Sequence, residues 1–217
     1  MTGQPMGASR VTLTWGGAAL VLATVVPSVA ELVWVFPPPG TSWLYVADTP
    51  GLGAASAVVL IIAFVVLAFG VRGEGGIAGS SRVGRAALVV FALTSVMSFG
   101  YVSMNLTVVA VNEGQMAVAS ILLWARALVH VVALVVAALA VFRAGVLTGP
   151  DRWALPILAV LLIGTLVLSR IPLPVATGAS IWGLVAFQLG LLLTGVLFFV
   201  QGLRSPRVLW APAVPAG

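Results

Sequence analysis

Long apolar runs, broken by short clusters of Gly, Pro and charge, dominate this chain. Crossing the hydrocarbon core of a bilayer as a helix takes about 20 consecutive apolar residues. Runs of that kind occur at 11–36, 51–71, 86–111, 116–142, 153–169 and 179–201. The second, third and fifth contain no charged side chain. The breaks between them are strong. Pro37, Pro38, Pro39 and Gly40 cannot continue a helix. Asp48-Thr49-Pro50-Gly51, Asn112-Glu113-Gly114-Gln115, Thr148-Gly149-Pro150-Asp151 and Pro172-Leu173-Pro174 have the composition of turns. The Gly-rich stretch from Arg72 to Arg85 reads as a flexible linker. The pattern predicts an all-α, polytopic integral membrane protein. It is a single bundle of about six transmembrane helices over 1–203, followed by a Pro-rich tail over 204–217.

Composition strengthens this reading. Of 217 residues, 61% are hydrophobic and 7% are charged, and the mean hydropathy is +1.21. Soluble domains carry roughly a quarter charged residues, and a compact globule of this size needs a polar exterior that this chain cannot supply. Lipid is therefore expected to solvate most of the surface, with the bilayer as the first partner. The net charge of +5 comes entirely from Arg, since Lys is absent. These arginines are scattered singly between apolar runs rather than clustered as a nucleic-acid interface would require, so no nucleic-acid partner is expected. Their distribution instead reports topology. With the N-terminus inside, Arg10, Arg72, Arg82, Arg85, Arg143, Arg152, Arg204 and Arg207 are all cytoplasmic, and Arg170 alone lies outside. Basic residues favour the cytoplasmic side, which predicts both termini in the cytoplasm of a plasma-membrane protein. An Ala, Gly, Val, Leu and Arg vocabulary without Lys points to a GC-rich bacterial genome. Ser28-Val29-Ala30 resembles a signal-peptidase site. Apolar sequence resumes at once through Phe36, so the segment is expected to stay as a span.

Polar groups inside hydrocarbon are costly, and each one needs a reason. Gly17, Thr24, Ser28 and Glu31 share one face of the first predicted helix. Thr94, Ser98, Tyr101 and Asn105 form a stripe on the third, and Arg126, His130, Ala133 and Ala137 share a face of the fourth. Small residues mark close helix approach, so the three stripes are expected to face one another. At about 1.5 Å per residue, Glu31 and Asn105 lie roughly 8–9 Å below the outer surface, Arg126 lies deeper and His130 is near the midplane. Glu31, Tyr101, Asn105, Arg126 and His130 are therefore the candidate cluster. Two accounts fit it. One is an outward-facing pocket in which Arg126 takes a small anionic ligand and His130 adds a donor or a titrating group. The other is a Glu31–Arg126 ion pair with hydrogen bonds that fix helix register. On the sixth helix, Gly183, Ala186, Gly190 and Thr194 form a small-residue ridge suited to close packing or to a membrane-protein partner. Gln188 points away from that ridge, and Trp124 is expected in the core.

Other chemistry lacks its residues. One His and no Cys cannot supply paired haem ligands or thiolate metal sites. No HExxH, GxSxG or GK[ST] occurs, so neither catalysis nor a metal or cofactor is expected. In size, span number and topology the chain resembles the substrate-binding subunits of energy-coupling-factor vitamin transporters. That likeness is architectural and carries no residue across. The expected function is a ligand-binding transport or sensing component. The alternative is a non-catalytic accessory or stabilising subunit of a membrane complex, and a lipid-modifying enzyme stands third.

Overall fold

A computed structural model describes residues 10–35, 50–71, 76–96, 113–147, 149–168 and 176–204, and within these its helices are the only regular elements. They are α1 (Arg10–Val35), α2 (Pro50–Phe69), α3 (Arg82–Val96), α4 (Glu113–Ala144), a 3-10 turn (Gly149–Trp153), α5 (Ala154–Leu168) and α6 (Ala176–Arg204). Four candidate crossing segments are long and apolar enough to span a membrane: Arg10–Val29, Trp124–Ala144, Gly149–Val167 and Trp182–Arg204. In α2 the apolar stretch is the shorter Ala54–Phe69. The remainder of the predicted third span, 97–111, lies outside the described residues, as does the tail over 205–217.

Each helix packs against the next, and α6 returns against α1 in the most extensive contact of all. Neighbours run antiparallel. Thr12 of α1 accepts a hydrogen bond from the Val71 amide just past α2, at 3.0 Å, whereas Ser28 reaches α6 at Gln188. Gly84 abuts Ala140 near the end of α4, whereas Thr94 reaches His130 nearer its middle. Gly183 faces Thr165, and Gly190 faces Leu158 and Leu161. The result is an up-down round of six helices closed by its first and last members.

The α1–α6 seam is built from glycine. A β-carbon on Gly17 would strike the Phe199 amide and the Gly195 carbonyl, and one on Gly195 would lie 2.9 Å from the Val21 amide nitrogen. The two backbones therefore touch without side chains between them. Such an approach gains dispersion and Cα–H···O contacts where hydrophobic driving force is lacking. Thr24 and Thr194 flank the seam, with hydroxyls donating back to Leu20 O at 2.7 Å and Gly190 O at 2.8 Å. Hydroxyls satisfied within their own helix can be buried at low cost.

One feature corrects the sequence reading. Residues 76–81 are not a flexible linker. The Ile77 amide donates to Leu67 O at 2.8 Å and the Gly79 amide to Gly76 O at 3.0 Å, while Ile77 and Ala78 are fully buried. Burial of one isoleucine among the glycines anchors the segment beneath α2. Helix α3 begins at Arg82, ahead of the apolar run that starts at Ala86. Ser81 caps it by accepting the Gly84 amide at 3.0 Å, and the Arg85 guanidinium donates to Gly79 O through Nε at 3.1 Å and Nη2 at 2.5 Å. The helix starts in its polar cap, four residues before the apolar run does.

The interior is filled by Leu20, Leu60, Phe64, Leu67, Leu88, Phe91, Leu134, Leu158, Leu191 and Phe198. Outward-facing positions are equally apolar: Leu22, Ile62, Val83, Leu128, Val160 and Leu193 are all largely exposed. Leaving that area in water forfeits about 25 cal/mol for each Å², so the outer surface is built for lipid.

Candidate functional site

An aromatic chain crosses the middle of the round. Phe64 of α2 meets Phe91 of α3 edge-on at 5.1 Å. Phe91 stacks on His130 of α4 at 4.6 Å and 23°, and Phe187 of α6 meets the imidazole edge-on at 6.3 Å and 72°. His130 is only 4% exposed. Its i, i+4 relation to Arg126, with Ala133 and Ala137 below, turns that α4 face inward, and both alanines are buried. The flanking Phe91 and Phe187 carried no mark in the sequence, because a phenylalanine within an unbroken apolar run has no contrasting neighbours. The one available signal was that Phe91 lies one helical turn before Thr94.

Thr94 joins α3 to α4 twice. Its hydroxyl lies 2.8 Å from His130 Nδ1, and also 2.8 Å from Val90 O and 3.0 Å from Phe91 O. One hydroxyl proton serves one acceptor at a time. With that proton on a helix carbonyl, Nδ1–H donates to the hydroxyl oxygen; with it on Nδ1, the imidazole proton resides on Nε2. In both tautomers the neutral ring keeps a partner. The Thr94 carbonyl in turn accepts from Arg126 Nε at 3.4 Å. Arg126 is half-buried, one helical turn from His130.

Of the five candidate residues, the structure therefore brings together Arg126 and His130, with Thr94 between them. Glu31 belongs to α1, but its side chain lies outside the described residues, as do Tyr101 and Asn105 entirely. Ser28, on the same α1 face as Glu31, is buried and donates to the Gln188 backbone carbonyl at 3.4 Å. The Gln188 side-chain oxygen is buried with no hydrogen-bond partner. The Gly183–Gly190 part of the small-residue ridge packs on α5, where the Thr165 hydroxyl lies 2.9 Å from Gly183 O. Thr194 is buried as well. Gly183 and Gly190 of that ridge thus face α5.

Trp124 departs from the expectation of a core position. It is 43% exposed and lines an outward-opening groove of about 370 Å³ with Ala127, Leu128, Val131, Ile163, Leu166 and Val167. The lining is apolar and offers no titratable or nucleophilic group. Among the described residues, no three His, Cys, Asp or Glu side chains gather as a metal site would require. No protein-family model matches the chain, and neither a curated protein nor a solved structure matches it.

Proposed function

We propose that the chain crosses a bacterial plasma membrane six times with both termini in the cytoplasm, and that it serves there as a non-catalytic accessory or stabilising subunit of a membrane complex. The observation that carries this reading is the state of His130. The residue best suited to ligand or proton chemistry is buried, in contact with the Phe91 and Phe187 rings and hydrogen-bonded to Thr94. Interhelical hydrogen bonds of this kind serve as glue between spans. The charge distribution supports the orientation, and the apolar α4–α5 groove supports contact with a partner helix in the plane of the membrane.

A photo-crosslinking amino acid placed in cells at Leu128 in the groove, and at Leu22, Ile62 and Leu193 on other faces, tests the reading. A discrete protein adduct from Leu128 alone is expected. Equal, diffuse lipid labelling from every position would overturn it.

A second reading, a binding component for a small anionic ligand, is favoured by the buried, unsatisfied Gln188 oxygen and by half-buried Arg126 in a segment apolar enough to cross the membrane. Native mass spectrometry separates the two. A stoichiometric small ligand that disappears in Arg126→Leu, with folding intact, supports the second reading. The first expects no such ligand.

A further inference from the structure

Where α4 gives way to α5, a cation and two aromatic rings come together. The Arg152 guanidinium carbon lies 4.1 Å from the centroid of the Phe142 ring, near the end of α4, and 6.0 Å from the Trp153 ring. The two rings meet edge-on at 4.9 Å and 61°, so the three side chains form one cluster. A ring face attracts a cation without taking up an N–H donor as an oxygen would. Arg152 carries five such donors, and no hydrogen bond or ion pair engages them among the described residues. The rings steady the guanidinium and leave its hydrogen-bonding capacity unspent.

Neighbouring charges favour an anion there. Arg143 follows Phe142 in the chain and is exposed. Asp151 precedes Arg152, but it is buried, and the charge acting on it is that of Arg204 on α6. Beyond the cluster the surface turns apolar at once. Trp153 is 51% exposed, and Ile157 and Val160, one and two turns further along α5, are exposed on the same helical face. Trp153 also falls near the start of the Gly149–Val167 segment, which is long and apolar enough to cross a membrane. An indole at such a point sits at headgroup level. A ligand bound here meets a cation at one end and a bare apolar helix face at the other.

We propose that Arg152, steadied by Phe142 and Trp153, binds the phosphate group of a phospholipid whose acyl chains run along Ile157 and Val160. The planar guanidinium presents parallel donors that match two phosphate oxygens. A free phosphate ion shares the headgroup chemistry but leaves the apolar face unused. The inference goes beyond the accessory-subunit reading and requires only that the chain sits in a bilayer.

The test reconstitutes the full chain in vesicles of equal phosphatidylglycerol and phosphatidylcholine, together with a phosphatidylglycerol analogue that carries a photoactivatable diazirine on its headgroup. After illumination, mass spectrometry of peptides locates the lipid adducts. Adducts are expected to concentrate at residues 142–157. Arg152→Gln should lower their yield there roughly fivefold, the scale of one basic side chain at an anionic surface, while adducts around Arg82 on α3 stay unchanged. Phe142→Leu keeps every charge but removes the ring that steadies the guanidinium, and should lower the same yield by a smaller factor. It carries the test should Arg152→Gln fail to fold. Excess inorganic phosphate should leave the adducts in place. An undiminished yield in the folded Arg152→Gln protein overturns the proposal. So does one in Phe142→Leu, since the cluster would then be packing alone. Displacement of the adducts by inorganic phosphate would also overturn it, by giving the site to a soluble anion.

Discussion

An imidazole in an apolar interior is stable only when its polar edge is satisfied, and His130 relies on Thr94 for this. Removing Thr94 strands the imidazole, whereas removing His130 leaves the Thr94 hydroxyl on the Val90 and Phe91 carbonyls. Thr94→Val should cost about 0.6 kcal/mol, the mean of measured interhelical hydrogen bonds in membranes, and at most about 1.7 kcal/mol. His130→Phe leaves no polar group unpartnered at this contact. The double variant should cost clearly less than the sum of the two, because the imidazole that Thr94→Val strands is then absent. Unfolding in mixed micelles measures all three, and strict additivity would show that the 2.8 Å contact carries no coupling. The sequence disclosed this side of the site through spacing alone: Arg126, His130, Ala133 and Ala137 recur on one helical face, and the last three are buried. Trp124 was misplaced because its exposure depends on how far α4 and α5 part, which the periodicity of one helix does not encode.

At the scale of elements, the seam between α1 and α6 depends on two backbones in contact. Gly195→Val places a branched side chain where the Val21 amide lies 2.9 Å from an ideal β-carbon. Overpacking at such a site costs about 1–3 kcal/mol, read as a lower melting temperature in detergent. Gly164 in α5 is the contrasting case. Nothing lies within 4 Å of its β-carbon position, so Gly164→Ala should leave stability unchanged or raise it by up to about 1 kcal/mol through helix propensity. Equal damage at both positions would deny the seam its special status. The apolar segments were legible because a single segment in lipid satisfies its own backbone polar groups only as a helix. The turn at 76–81 was not, because Gly-rich sequence looks the same whether it is mobile or folded back. Ile77 was the clue, an apolar side chain that needed somewhere to be buried.

The whole molecule has a sharp charge axis, and that axis makes its orientation testable without side-chain detail. The ends of α1, α3, α4 and α6 that carry Arg10, Arg82, Arg85, Arg143 and Arg204 are joined by direct contacts or by turns packed between them, so they can only lie on one side of a bilayer together. Basic residues resist translocation, and in the proposed orientation that side is cytoplasmic. The chain contains no cysteine, so any introduced thiol reports alone. Ser80 is exposed in the turn ahead of α3, and Ser80→Cys should resist a membrane-impermeant maleimide in intact cells and react once the membrane is permeabilised. Thr41→Cys, in the Pro-rich segment between the first two spans, should react in intact cells. The opposite pair of results would invert the bundle and place the arginine end outside. Protection of both thiols before permeabilisation would put residues 41 and 80 on the same side. That outcome is incompatible with α2 crossing the membrane, and with it the six-span topology would fall.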